Sequence, residues 1–171
     1  MLQTFHDRER LRRLFRPRRV RLLFVGEAPP YSGRFFYSRN SGLYRAMRDA
    51  FQCVEPMIDE DKFLGVFKAA GCYLTDLCPE PVDHLDAESR KAARHAGEAS
   101  LSHELARMWP AAIAPVLRSV ADNVSRAAFN VDWHGPIIHL PYPGRWYRQR
   151  TAFIETLTPT LRKLIETTGR C

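Results

Sequence analysis

The stretch that decides the fold is "LLFVGEAPPYSGRFFYSRNSGLYRAM", Leu22 to Met47. Its first half, with Val20 and Arg21 before it, is an apolar, β-branched run closing on Gly26. That pattern predicts a strand buried on both faces over Val20–Gly26. A loop follows that holds Glu27, two prolines, two glycines and three consecutive aromatic residues, Phe35, Phe36 and Tyr37. The spacing of Leu43, Met47 and Phe51 then predicts a helix over "GLYRAMRDAF".

The same pattern recurs downstream. "DEDKFLGVFKAAG" reads as a helix with acids in its first turn and Gly71 just past its end. "CYLTDL" (Cys72–Leu77) reads as a second strand, and "PEPVDHLD" as proline-rich punctuation. Asp86 is placed to cap a long helix that Gly97 weakens and Pro110 ends. "AAIAPVL" is a short third strand with Pro115 inside it, followed by a helix to about Val124. Ile137–Leu140 is a fourth strand, and a helix runs from Tyr147 to about Glu166. Strands alternating with helices imply right-handed crossovers. The expected fold class is α/β: a three-layer α/β/α sandwich around a central, mainly parallel four-stranded sheet. The 171 residues suit a single domain over 1–171, with 1–19 as a basic helical extension.

Composition narrows the function classes. Apolar residues make up 45% and charged residues 26%, as in ordinary globular chains. No apolar run is long enough to cross a membrane, so no membrane partner is expected. "MLQTFHDRERLRRLFRPRR" has no apolar core of a secretory leader, and a cytoplasmic protein is expected. The formal net charge of +7 favours an anionic partner, and nucleic acid is the commonest one. Eight arginines lie between positions 8 and 21. Leu11, Leu14 and Phe15 fall on one helix face there, so the helix is expected to dock through them with its arginines outward. The four cysteines form no C-x-x-C pair, and Arg107 stands where an H-E-x-x-H motif needs its second His. Zinc-site spacing is absent.

In parallel α/β folds ligands bind where strand carboxyl ends emerge. Glu27, the aromatic triplet, Thr75, Asp76 and the His139–Tyr147 loop should therefore meet at one edge of the sheet. Acids, a histidine and flat rings suit a ring-shaped, hydrogen-bonding ligand, and arginine nearby suits phosphate. No phosphate-loop lysine, dinucleotide fingerprint or G-x-S-x-G elbow is present.

Four pieces, in order, resemble the uracil-DNA glycosylase superfamily. "GEAPP" resembles the G-E-x-P-G motif after its first strand. "CYLTDLCPEP" resembles its second strand, which carries a base-reading polar residue. "ELARMWPAAIAPVLRSVADNV" resembles its helix–Pro–strand stretch, and "IIHLPYPGR" its final His-Pro-Ser-Pro motif. The resemblance implies a monofunctional glycosylase that removes uracil, or a related deaminated base, from DNA and releases the free base. Glu27 would position or activate water and His139 would donate to the leaving base. Gly26, Ala28, Phe36 and Asp76 would bind the base, with Phe35 and Tyr37 as rivals of Phe36. Arg34, Pro143, Gly144 and Arg145 would contact DNA, the last three as a groove wedge. The nearest type of that superfamily carries an iron–sulfur cluster on spaced cysteines. Those spacings are missing here, so no cofactor is expected; DNA is the expected partner of a monomer.

The sequence also departs from the family pattern. Pro30 replaces a glycine and removes an N–H. Asp76 replaces the usual Asn, and an ionised Asp only accepts hydrogen bonds, which leaves hypoxanthine or a damaged pyrimidine as rival targets. Aligning the P-x-P pairs puts Leu140, not His139, in the histidine position. A non-catalytic module that recognises a modified or flipped base is the alternative function.

Overall fold

The computed structural model describes residues 4–144 and 146–168. Helix α1 (Phe5–Leu14) precedes strand β1 (Leu22–Gly26). Then come α2 (Gly42–Gln52), α3 (Phe63–Ala69), β2 (Cys72–Asp76), α4 (Ala87–Met108), β3 (Ala112–Pro115), α5 (Arg118–Phe129) and α6 (Tyr147–Thr168). The architecture is mixed α/β. The three strands form a parallel sheet in the order β2-β1-β3, with the wholly buried β1 in the middle. Leu22 pairs with Cys72 and Ala112, and Gly26 with Asp76, so the carboxyl ends emerge together.

The expected fourth strand is corrected to a single bridge between Ile113 and Ile137. The ladder starts regularly: Ile113 N–H donates to Pro136 O, and Ile138 N–H to Ile113 O. Leu140 N–H also reaches Pro115 O. The missing bond would come from the N–H of Pro115, which proline does not have. One residue of β3 thus keeps the 137–140 segment from becoming a strand.

Side chains alternate across β1 and bury against helices on both faces. Phe24 stacks on Phe67 of α3 at 5.8 Å, within an aromatic cluster completed by Phe36, Tyr44, Phe51 and Phe63. On the other face Thr75, in register with Val25, donates to Glu104 of α4 at 3.0 Å. Asp86 caps α4 by accepting from Ser89 N at 2.9 Å. Helix α4 runs unbroken through Gly97, whose bare Cα lies against the Leu77 carbonyl where a Cβ would collide. In α6, Phe153, Leu157 and Leu161 recur every fourth residue and are fully buried. Among the described residues, no helix is long and apolar enough to cross a membrane.

Helix α1 follows its apolar pattern only in part: Leu11 and Phe15 pack against the core. Leu14 is exposed, and the helix residues that become buried are Arg8 and Arg12. Beyond its end, Phe15 stacks on Tyr37 at 5.7 Å. The Tyr37 hydroxyl donates to Leu74 O at 3.0 Å and accepts from Leu74 N at 2.8 Å, along the outer side of β2.

The α4–α5 contact is sealed by Glu98, whose Oε1 accepts from Asn123 at 2.6 Å and from the Arg126 guanidinium at 2.7 Å. The Arg126 hydrogen bond leads in pulling the Glu98 carboxyl from the ordinary 4.5 down to about 2, against burial. A depressed folded-state value contributes stability above the unfolded value that is lost as pH falls through the folded one. Stability from Glu98 should therefore vanish between about 4.5 and about 2. Glu98→Gln should make the fall of the urea midpoint across that window shallower; an unchanged slope would rule the linkage out.

Candidate functional site

The parallel strands and their loops enclose a cavity of about 700 Å³ at the carboxyl edge of the sheet. Gly26, Glu27, Ala28, Arg34, Phe36, Asp76, Pro143 and Gly144 all line it. So do Phe35, the expected rival of Phe36, and the exposed Tyr142, together with Asp83, Arg45, Arg90 and Arg150, which sequence reasoning did not place in the site. The walls therefore mix carboxylates, guanidinium groups and aromatic edges.

Glu27 is buried directly after β1. Two arginines one turn apart on α4 clamp it. Arg90 Nε donates to Oε1 at 2.9 Å and Arg90 Nη2 binds Oε2, while Arg94 Nη1 donates to Oε1 at 2.7 Å. Burial works to raise the Glu27 carboxyl, but the hydrogen bonds and charges of Arg90 and Arg94 outweigh it and hold the group below the usual range. A carboxylate offers about four lone-pair sites, of which three are occupied here. Glu27 is a fixed anion with room to orient one more donor, such as water, and it is a weak proton acceptor.

Asp76, the register partner of Gly26, is also spoken for. Its Oδ2 pairs with Arg12 Nη2 at 2.7 Å. Arg12 also pairs with Glu9 and lies 5.5 Å over the Phe35 ring. Oδ1 rests over Gly26, where an added Cβ would sit 2.5 Å from it and would have to displace the ion-paired Asp76 side chain. Burial pushes the Asp76 carboxyl up, with the Arg12 charge pulling the other way. Asp83 fixes the adjoining loop by accepting from Tyr31 N at 3.0 Å.

All three aromatics of the triplet are buried, where alternation in an extended segment would send neighbours to opposite sides. A 3₁₀ turn over Phe36–Ser38 lets consecutive rings point inward. Phe36 is 3% exposed, packed 5.3 Å from Phe67, and meets the cavity only as part of its wall. Phe35 shares that wall, and Tyr37 serves the strand edge instead.

His139 is not brought to the site. It is exposed and does not line the cavity, whereas Leu140 is buried at 2% exposure. Neighbours on an extended chain face opposite ways, so burying Leu140 turns His139 to solvent. Pro143 is buried rather than projecting, and Gly144, at φ +32°, is folded against the Gln149 side chain. Arg145 lies outside the described residues. Thr75 is spent on α4 beneath the sheet. The i, i+4 spacing of Arg90 and Arg94 was a signal that the two share a face, though not that they face Glu27.

Compared with known proteins, the chain matches no family model. It also matches no curated protein sequence.

Proposed function

We propose that the protein holds a flipped nucleotide in this cavity and hydrolyses the N-glycosidic bond of uracil, or of a related deaminated base, in DNA. The observation that carries the reading is the convergence of Gly26, Glu27, Ala28, Arg34, Phe36, Asp76, Pro143 and Gly144, drawn from three separate segments, on one cavity. The bond breaks through a cation-like sugar while negative charge moves onto the base. A fixed Glu27 carboxylate favours the sugar's positive charge and orients water beside it. Arg90, which lines the cavity, supplies positive charge toward the departing base in place of the outward-facing His139. Extruding the base costs a few kcal/mol, which contacts to the phosphates offset. On this reading the protein works in the cytoplasm on DNA, as a monomer.

A binding-only module is the second reading. The clamp that occupies three of the lone-pair sites of Glu27 and the exposed position of His139 favour it. An oligonucleotide carrying one uracil decides between the two. Alkali-labile sites after incubation support the glycosylase. Salt-sensitive binding with no base release, across several deaminated bases, supports the module. Neither release nor binding would sink both.

A further inference from the structure

We infer that the mouth of the cavity is a stacking surface for unpaired bases, so that the partner is single-stranded rather than duplex nucleic acid. The inference rests on the nucleic-acid reading above and adds the strand state of the partner. Large rings stand in solvent on the loops that form this edge: Tyr31 is 60% exposed, Tyr142 50% and Trp146 70%.

The backbone that carries these rings is held in place. Tyr31 is fixed through its N–H to Asp83 and packs on the His84 ring at 4.9 Å. Tyr142 lines the cavity mouth between Pro141 and Pro143, whose rings restrict the backbone on both sides. Trp146 opens α6, its carbonyl accepting from Gln149 N and Arg150 N, and Arg150 lines the cavity one turn on. A backbone that is already ordered spends little further entropy on binding. Exposed guanidinium groups on Arg34 and Arg45, both at the cavity, supply the complementary charge for a phosphate backbone.

Every base has a π-face, so such a surface accepts any sequence. Duplex bases already stack on their neighbours and must be pulled apart to use it. Pro143 is buried and Gly144 has no side chain, so neither of these two projects as a groove wedge. The surface therefore suits bases that are already free.

The test is fluorescence anisotropy with three undamaged probes: a short single strand, its duplex, and a strand of abasic sugars with equal charge. The single strand should bind at least about tenfold tighter than the other two. Tyr142→Ala and Trp146→Ala should each weaken it about fivefold, the lower end of base–aromatic stacking. Tyr142→Phe and Trp146→Phe, which keep a flat ring, should restore binding, with circular dichroism showing all four variants folded. Equal or tighter duplex binding, equal binding of the baseless strand, or alanine variants without effect would overturn the inference. Base release from a uracil strand is read separately. Release with duplex-preferring binding removes this inference and keeps the glycosylase. Stacking without release removes the glycosylase and keeps the inference.

Discussion

Arg12→Ala should destabilise the fold by about 3–5 kcal/mol, because it leaves a buried carboxylate without its partner. Both side chains of the Arg12–Asp76 pair are 8% exposed, so water cannot take the arginine's place. The loss of the guanidinium over Phe35 adds to the cost. Small domains hold only about 5–15 kcal/mol in total, so the urea midpoint should fall steeply. Arg13→Ala, an exposed neighbour on the same helix, should change stability by less than about 0.5 kcal/mol. Arg12→Met combined with Asp76→Leu should recover most of the loss, since the burial of two charges is then avoided. A fall below about 1 kcal/mol for Arg12→Ala would mean that the pair behaves as a surface ion pair.

Glu27→Gln should lower base release by about 10²–10³-fold, while single-strand affinity changes by less than about threefold. The amide keeps the shape and loses the charge that favours a cationic sugar. Equal losses of rate and binding would make Glu27 structural. Arg94→Gln gives a second readout. Glu27 must be ionised, and Arg90 and Arg94 hold its carboxyl low. The acid limb of the rate profile, where activity falls as pH drops through that value, should move to higher pH when Arg94 is removed. A limb that stays in place would detach the two arginines from the chemistry.

Much of the frame was legible because its signals are local. The first strand was expected at Val20–Gly26 and runs Leu22–Gly26, ending on the same glycine. Asp86 caps the long helix, and Gly71, at φ +77°, follows α3 as its pattern required. Local rules also explain where the reading stopped. Arg12 meets Asp76 across 64 positions, and Arg90 meets Glu27 across 63, so no short window records either pair. A helical pattern counts arginine as outward, and nothing in α1 announces that two guanidinium groups would be buried beside Leu11. The fourth strand had the right composition and failed because of a proline in its partner. Phe35, Phe36 and Tyr37 were readable as aromatic but not as jointly buried, since that depends on a 3₁₀ turn.

The two sides of the sheet bear on how copies of this chain treat one another. An uncovered strand edge is a template on which a second molecule can add its own strand, the route to aggregation and swapped pairing. On the β2 side, one phenol occupies both the donor and the acceptor of Leu74. On the β3 side, the 136–140 segment points Ile138 and Leu140 N–H inward, leaving Ile137 and His139 as its outward donors between Pro136 and Pro141. Sheet-to-sheet joining of two copies would first require unseating the Tyr37 ring or stripping away that segment. The phenol that looked like part of a binding face instead closes the outer edge of β2 at Leu74.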